Sequence, residues 1–295
     1  MIIHTHCPLC QSDMIEPHIR CTDYLVTLEE FELWKCRDCG FVFTRESPDE
    51  NSIGKYYESD DYISHDDRAK GSFNRVYQVV RGIMLQRKAR LIINMTGIRT
   101  GSILDIGCGT GYFAATMKNA GWDVTGIEPN EKARDFARER FNLNVLEPDN
   151  INELPDGSFD CISMWHVMEH LHDPFRYADK IDRLLKPDGF CIAALPNNDS
   201  YDAKHYGKYW AAWDVPRHLW HFNPSTFKTF WDKKGFVIEF IRGLPFDVFY
   251  ISMLSEKHKG SRAPFIKGLL KGGWFAIKTA ADINKSSSLI YFIHK

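Results

Sequence analysis

The chain has 295 residues, enough for a core of about 200 residues and a smaller appended unit. Its formal net charge is −2, so it lacks the global basic field that draws proteins to nucleic acid or anionic membranes. The N-terminus does not have the pattern of a secretory signal, and no apolar run approaches the ~18 residues of a membrane span. These features predict a cytoplasmic globular protein in two parts and disfavour nucleic acid as a partner.

Four cysteines near the N-terminus form two C-x-x-C pairs, and they are Cys7, Cys10, Cys36 and Cys39. Each pair can aim two thiolates at one ion, and four thiolates satisfy tetrahedral Zn²⁺ with no open position. A thioredoxin-type redox motif, the competing interpretation, occurs once beside a βαβ pattern, whereas these pairs flank short strand-like stretches. We therefore predict a structural zinc site in a zinc-ribbon-like module at residues 1–45, where metal binding would supply much of the folding free energy. Cys21, between the pairs, is predicted to be a small buried residue.

The next stretch, residues 46–72, is polar and contains Pro48, Gly54 and the pair Tyr56 and Tyr57. Two interpretations stay open for it, a linker or a lid that packs near the functional site. Residues 73–295 are predicted to form the larger domain. It begins with an amphipathic helix at residues 73–95, where apolar residues recur at helical spacing and the opposite face is basic.

A glycine turn follows the first predicted strand of the larger domain. The strand covers residues 102–106, and Gly107, Gly109 and Gly111 lead into a helix that begins near Tyr112. A dinucleotide fingerprint would need glycine at Tyr112, and a P-loop would need Gly-Lys followed by Ser or Thr, so neither pattern is present. Glycines at these positions let a ligand approach the backbone closely.

Side chains around the turn indicate what this ligand is. Asp105 precedes the turn, where a carboxylate can act directly or through water on an ammonium group. Glu128 ends the next predicted strand and can accept both hydroxyls of a ribose, as acidic residues do in nucleotide-binding βαβ units. Asn150 and Ile151 follow the third strand, where an amide and an apolar side chain can meet the edge and face of an adenine. The ligand implied is a charged adenosyl amino acid.

Strands and helices alternate through the rest of the domain. Further strands are predicted at residues 123–127, near Val145, and at 159–164, 189–195 and 236–242, with helices at 130–140, 173–185 and 224–234. This alternation predicts a doubly wound α/β fold, with a mostly parallel sheet and helices on both faces.

The segment around the glycine turn resembles the class I S-adenosylmethionine-dependent methyltransferases. Residues 104–111 are similar to the first motif of that family, Glu128-Pro129-Asn130 to its second, and residues 154–160 to the approach to its fourth strand. The resemblance implies S-adenosyl-L-methionine as the cofactor. It also implies a seven-stranded sheet that ends in an antiparallel hairpin, formed here by residues 236–242 and 288–294.

Two narrower resemblances bear on the substrate. Met168-Glu169-His170-Leu171 is similar to the ubiquinone-type O-methyltransferases, and the N-terminal cysteines followed by Tyr56 and Tyr57 are similar to the zinc-binding front end of deoxysugar methyltransferases. Both imply a small-molecule acceptor.

Two groups of histidines are predicted at the carboxyl edge of the sheet, where ligands of doubly wound folds bind. They comprise His166, Glu169 and His170 after the fourth strand, and His218 and His221 in a later loop. One hypothesis makes His166 or His170 a general base worth ~10²–10⁴ in rate. A second hypothesis makes Glu169, His170 and His218 or His221 the ligands of a divalent ion that polarises the acceptor hydroxyl.

The second hypothesis resembles the E-x-x-E-H arrangement of metal-dependent O-methyltransferases, with His166 in place of the first Glu. A third interpretation is that Glu169 and His170 only cap the next helix and pack beneath the pocket.

An insertion at residues 243–285 is predicted to contain two amphipathic helices rich in apolar residues. Lys267, Lys271 and Lys278 are interleaved with them, so contact with a membrane surface is one hypothesis. A lid over the substrate pocket or a dimer surface is the other.

These patterns predict a methyltransferase that O-methylates a small molecule, with a glycosyl, lipid-linked or aromatic hydroxyl as acceptor. The main alternative is an RNA methyltransferase that grips RNA with its zinc module. The acidic charge balance argues against it, and so does the second knuckle, which ends in Cys39 and Gly40 with no histidine ligand. A cofactor-binding partner protein without catalytic activity is the third hypothesis.

Overall fold

The structure, a computed structural model, describes residues 1–57 and 72–295, with side chains from residue 81 onward in the first helix. The strands are β1 (Ile2–Ile3), β2 (Ile15–Thr22), β3 (Glu30–Cys36), β4 (Val42–Thr44), β5 (Glu46–Ser47), β6 (Ser102–Ile106), β7 (Asp123–Ile127), β8 (Asn144–Leu146), β9 (Phe159–Trp165), β10 (Leu185–Pro196), β11 (Trp220–His221), β12 (Val237–Gly243) and β13 (Ser288–His294). The α-helices are α1 (Ser72–Thr96), α2 (Tyr112–Asn119), α3 (Glu131–Phe141), α4 (Pro174–Leu184), α5 (Tyr201–Tyr206), α6 (Pro224–Asp232), α7 (Asp247–His258) and α8 (Pro264–Thr279).

A seven-stranded sheet organises the larger domain, in the order β12-β13-β10-β9-β6-β7-β8. Neighbouring strands from β10 to β8 are parallel, whereas β13 runs antiparallel to both β10 and β12. The chain thus winds outward in both directions from β6, so the carboxyl ends of β6, β7 and β9 lie side by side at one edge. The predicted doubly wound fold and its terminal hairpin are confirmed.

Helix starts follow from capping residues in the sequence. The side chain of Asn130 accepts a hydrogen bond from the Ala133 amide at the start of α3. At the start of α6, Asn223 and Thr226 form a reciprocal capping box, and Pro224 occupies the first turn. Such caps satisfy amide groups that have no partner within the helix, so these helices begin within one residue of their predicted positions.

The N-terminal module shares a sheet with the larger domain. Its four-stranded sheet has the order β11-β4-β3-β2, and β11 comes from residues far along the chain. The Thr44 amide donates to the Leu219 carbonyl at 2.9 Å. Buried residues of the module also pack in the same hydrophobic cluster as the core of the larger domain, and they include Cys7, Cys36, Phe41 and Phe43. The module therefore shares a hydrophobic cluster with the larger domain.

The segment predicted as linker or lid begins with strand β5, which pairs with β1, and continues into a short 3-10 helix, Ile53–Tyr57, which contacts the larger domain. Its remainder, residues 58–71, lies outside the described residues.

Two helices, α7 and α8, form the predicted insertion. They pack at very short range, since a Cβ added to Gly268 would lie 2.4 Å from the Cα of Met253. No helix in the described parts of the chain is long and apolar enough to cross a membrane.

Candidate active site and metal centre

The glycine turn after β6 has three glycines with left-handed backbone, and their surroundings differ. A Cβ on Gly107 would lie 2.5 Å from the Cγ2 atom of Val167, and a Cβ on Gly111 would lie 2.8 Å from the side chains of Ala137 and Leu143. Packing therefore requires glycine at both positions. Gly109 has φ +53° and no atom within 4 Å of an added Cβ, so it borders the open space that a ligand needs.

Glu128 stands at the end of β7 beside this turn. Its Oε2 accepts a hydrogen bond from the Gly109 amide at 2.8 Å, and its Oε1 accepts one from the Asn130 amide at 2.9 Å. The two bonds hold the carboxylate in place, and each oxygen keeps a lone pair for another donor. Burial raises the pKa of Glu128. This arrangement fits the predicted contact with two ribose hydroxyls.

Asp105, the last but one residue of β6, is buried under the turn. Its Oδ1 accepts a hydrogen bond from the Ser163 hydroxyl at 2.6 Å. Burial outweighs this bond and raises the pKa of Asp105 to about 7. The Ser163 bond and the nearby charge of Lys88 do not fully offset burial, so a cationic ligand group would further favour the charged form of Asp105.

The two residues predicted at the adenine end lie in different surroundings. Asn150 is half-buried and donates from its amide to Glu153 Oε2 at 3.2 Å. The Ile151 side chain is 0% exposed and packs in the main core cluster, so it has no accessible surface to offer an adenine ring. The backbone carbonyl of Ile151 accepts from Arg183. The structure thus corrects the prediction for the Ile151 side chain, and the adenine contact stays a prediction for Asn150.

His166 lies between two carboxylates at the end of β9. Its Nε2 is 3.0 Å from Asp247 Oδ2, and its Nδ1 is 3.4 Å from Glu169 Oε1. Burial alone would lower the pKa of His166, but its hydrogen bonds to Asp247 and Glu169 outweigh burial and raise it to about 10. The raised pKa favours the charged form of His166 at neutral pH and argues against a role as general base, which leaves His170 as the candidate for that role.

Glu169, His170 and His218 form a compact group, with one ligand-type atom of each within 4.8 Å of the others. Glu169 is 1% exposed; its Oε1 lies 3.4 Å from His166 Nδ1, and among the described residues its Oε2 has no hydrogen-bond partner. His166 compensates part of this buried charge, and a bound cation would stabilise the lone pairs of Glu169 that remain without a partner. The Leu219 amide donates to the Glu169 carbonyl at 2.8 Å, which brings the two distant chain segments together.

Backbone carbonyls orient both imidazoles of this group. His170 Nδ1 is 3.1 Å from the Arg217 carbonyl, and His218 Nδ1 is 2.9 Å from the Ala212 carbonyl. Because a carbonyl only accepts, each Nδ1 carries the hydrogen and each neutral ring presents an unprotonated Nε2. Burial lowers the pKa of His170 to about 4, so that ring is neutral. A backbone partner on one ring nitrogen is typical of metal-binding histidines.

His221 lies outside this group. Its Nε2 is 3.3 Å from the Thr44 hydroxyl, which itself donates to the His218 carbonyl at 2.8 Å. Of the two histidines left open as ligands, the structure brings His218 to Glu169 and His170, and it turns His221 toward the N-terminal module.

Several residues at the site were not predicted from the sequence. Tyr57 Oη lies 3.0 Å from His170 Nδ1, so the segment after the N-terminal module reaches the site. Lys88 on α1 places its Nζ 4.0 Å from the centroid of a Trp165 ring. Asp247 begins α7 and pairs with His166. The basic face of α1 was visible in the sequence, but no spacing marked which of its cations would reach the site.

The four N-terminal thiols also form a compact group, with all Sγ atoms within 4.8 Å of one another. Cys7 Sγ is 3.6 Å from Cys39 Sγ, and Cys10 Sγ is 3.5 Å from Cys36 Sγ. Four sulfurs at about 2.3 Å from one tetrahedral Zn²⁺ would be about 3.8 Å apart, so the spacing fits that ion. All four cysteines are free thiols, and Cys21 is buried apart from them, as predicted.

Comparison with known proteins relates the chain to methyltransferases. A family model described as a methyltransferase domain matches residues 81–239, which contain the glycine turn and Glu169. A ubiquinone biosynthesis O-methyltransferase of Psychrobacter cryohalolentis is 30% identical over 112 residues, which cover 35% of this chain and 44% of that protein. A probable S-adenosylmethionine-dependent methyltransferase of Mycolicibacterium smegmatis is 26% identical over 164 residues, or 54% of this chain and 60% of that protein. The matches thus span less than two thirds of either relative.

Solved structures share the fold. A SAM-dependent methyltransferase from Archaeoglobus fulgidus is similar with a TM-score of 0.51 and 20% identity, over 80% of this chain and 100% of that chain. A putative sarcosine dimethylglycine methyltransferase from Galdieria sulphuraria is similar with a TM-score of 0.51 and 15% identity, over 72% of this chain and 85% of that chain.

Proposed function

Because the chain belongs to the class I S-adenosylmethionine-dependent methyltransferases, we propose that it methylates a hydroxyl oxygen of a small molecule, with a glycosyl, lipid-linked or aromatic group as acceptor. The observation that carries the proposal is the buried group of Glu169, His170 and His218. It lies at the carboxyl edge of the sheet, next to the glycine turn, since Val167 packs directly on Gly107.

The residues around the turn suit the two ends of the cofactor. We assign Asp105 to its ammonium group and Glu128 to its ribose, with Gly109 leaving room for close approach. When bound there, S-adenosylmethionine supplies a methyl group already activated by a sulfonium. The protein's main task is then to position the acceptor oxygen in line with that methyl group.

A hydroxyl acceptor must also lose its proton, and the second group of residues suits this step. Glu169 Oε and the Nε2 atoms of His170 and His218 would hold a divalent cation, which would polarise the acceptor oxygen. His166 is charged and stays paired with Asp247 and Glu169, so its role is to orient Glu169. We also propose that the four N-terminal thiolates hold a structural zinc ion without an open coordination position.

The proposal is tested by incubating the protein with methyl-labelled cofactor and fractionated cell metabolites, then identifying the labelled product. A labelled methyl ether on a small molecule supports it. Label on RNA, with binding that weakens steeply as salt rises, would establish the RNA methyltransferase instead. Cofactor binding without turnover on any fraction would establish the partner protein without activity.

Cofactor affinity should depend on pH through Asp105. Its pKa is raised to about 7, so it becomes protonated below pH 7 and the cofactor's ammonium must displace that proton. We expect affinity to fall by up to about tenfold per pH unit below 7, measured by titration calorimetry between pH 5.5 and 8.

Two variants control this measurement. Asp105→Asn should weaken binding at pH 7.5 by about 1.5–3 kcal/mol and flatten the pH dependence. Glu128→Gln should weaken binding by a similar amount while the slope below pH 7 remains. If the wild-type affinity does not vary with pH, or if Asp105→Asn binds as well as wild type, the assignment of Asp105 to the ammonium is wrong.

Glu169→Gln should lower kcat by at least about a hundredfold if the cation polarises the acceptor, because the substitution removes the charged ligand. Binding of Mn²⁺ to chelator-treated protein, followed by electron paramagnetic resonance, should weaken by about 10- to 100-fold in the same variant. Glu139→Gln, on the exposed face of α3, serves as the matched control. Activity that is indifferent to EDTA, together with unchanged Mn²⁺ binding, would contradict the metal hypothesis and leave His170 as the base.

A further inference from the structure

Helix α8 exposes a broad apolar face. Its exposed apolar side chains are between 48% and 71% accessible, and they are Phe265, Ile266, Leu269, Leu270, Trp274 and Ile277. We call these six residues the α8 apolar face. At about 100° per residue they cover an outward arc of roughly 180°. Contiguous exposed apolar surface of this kind marks a binding surface more often than scattered single residues do.

The opposite side of α8 is fixed to the protein. Gly268 and Gly272 pack against the backbone of α7, since a Cβ on Gly272 would lie 2.9 Å from the Cα of Phe249. Phe275 is buried next to Tyr206, at 6.1 Å between ring centroids. The orientation of the helix is therefore set by packing, and the α8 apolar face points away from the protein.

Positive charge accompanies this face. Residues 257–281 contain six Lys and Arg and no Asp or Glu, although the whole chain has a net charge of −2. On the helix, Lys267, Lys271 and Lys278 fall within an arc of about 40°, between the α8 apolar face and the buried side. Among the ion pairs of the described residues, none involves these six cations, and Lys278 Nζ lies 5.0 Å from a Tyr201 ring centroid. Their charge is thus available to a negatively charged partner.

We propose that the α8 apolar face docks on an anionic lipid surface, with the apolar side chains in the acyl boundary and the flanking lysines at the headgroups. A helix that is apolar on one face, rich in lysine along the flank and equipped with Trp and Phe has the composition of an interfacial helix. Trp274 lies next to Lys278, whose Nζ is 5.5 Å from a ring centroid of the Trp274 side chain. Indole rings favour the headgroup level of a bilayer.

A second copy of the chain fits this surface less well. A symmetric dimer through α8 would bring the same patch of both copies together, and with it the cations of residues 257–281 without any acidic residue to oppose them. Like charges that face each other across an interface oppose association. An anionic bilayer supplies the opposite charge.

The docked surface is close in the fold to the active site. Helix α7, against which α8 packs, begins at Asp247, and Asp247 pairs with His166. Docking of α8 on a lipid surface would therefore hold the edge of the active site, near Asp247 and His166, close to the lipid. The inference concerns lipid binding alone and does not depend on the proposed acceptor.

Co-sedimentation with vesicles tests the proposal. Wild-type protein should sediment with phosphatidylcholine vesicles that contain about 30 mol % phosphatidylglycerol, and much less with pure phosphatidylcholine. Lys267→Gln with Lys271→Gln should weaken binding to the anionic vesicles by about thirtyfold. Leu270→Ser with Trp274→Ser should weaken it by at least about tenfold. Because all four side chains lie outside the core, these variants should keep the melting temperature of the wild type.

Matched control variants separate the role of the α8 apolar face and its lysines from the general effect of losing charge or apolar surface. Lys132→Gln with Lys233→Gln removes the same charge from exposed positions elsewhere, and Val237→Ser removes an exposed apolar side chain from β12. Both should bind like wild type. The proposal is overturned if the wild type does not sediment, if it binds both vesicle types equally, or if patch and control variants behave alike. It is also overturned if light scattering shows a dimer that Leu270→Ser dissociates, because a second copy then covers the face. If the double apolar variant melts early, Ile277→Ser replaces it.

Discussion

Replacing Cys36 and Cys39 together by Ser is expected to abolish zinc binding, unfold the N-terminal module and remove methyl transfer. The four sulfurs lie within 4.8 Å of one another, and two of them belong to the main hydrophobic cluster. Structural zinc sites of this kind contribute about 10–16 kcal/mol of apparent binding free energy at pH 7. The loss should reach the active site because Thr44 of the module donates to the His218 carbonyl.

Elemental analysis of protein purified without added metal should give one zinc per chain in the wild type and none in the double variant. Hydrogen exchange should show loss of protection in β3 and β4. Cys21→Ser, which changes a buried thiol outside the group of four, should keep its zinc. A wild-type zinc content near zero, or one that the double substitution leaves unchanged, would contradict the zinc hypothesis.

Arg217→Ala should lower the free energy of unfolding by about 3–5 kcal/mol. The Arg217 guanidinium is 1% exposed, and it donates to Asp23 Oδ1 at 3.0 Å, to Asp214 Oδ1 at 2.6 Å and to the Tyr56 carbonyl at 2.8 Å. It therefore ties the module, the segment before residue 58 and the histidine loop together. Without it, Asp23 remains fully buried and loses its counter-charge.

Chemical denaturation measures this effect, and a double-mutant cycle assigns it. Asp23→Asn combined with Arg217→Ala should cost less than the sum of the two single changes, with a coupling of about 1–3 kcal/mol. Arg217→Lys should rescue only part of the loss, because lysine lacks the planar fork that reaches several acceptors. Lys228→Ala, which breaks the exposed pair with Asp232, should change stability by less than about 1 kcal/mol. Additive single effects at Asp23 and Arg217 would show that the pair does not stabilise the fold.

Local patterns in the sequence were sufficient for most strands and helices of the larger domain. Strand β6 and the glycine turn were predicted from a short apolar run followed by glycines, and the structure gives the strand the same bounds, Ser102–Ile106. The reason is that the relevant interactions are local: caps, left-handed glycines and the alternation of apolar residues act within a few positions. The same local patterns predicted the cysteine group, because each C-x-x-C pair needs only its own turn.

Long-range contacts decided the rest of the site. The sequence presented His218 and His221 as equivalent candidates, and only the pairing of β11 with β4 and the bond from the Leu219 amide to the Glu169 carbonyl separate them. The sequence also suggested a boundary of the N-terminal module at residue 45. In the structure, however, the sheet of this module is completed by β11, which lies far along the chain.

The ion pairs show most clearly what the sequence could not predict. The ion pair between Arg217 and Asp23 joins residues 194 positions apart, and that between His166 and Asp247 joins the end of β9 to the start of α7. A charged residue in a sequence carries no mark of its partner. The sequence by itself therefore determined the strands, the turn and the types of group available for chemistry, while the tertiary structure decided which of them meet, since burial and pairing exist only once the sheets have packed.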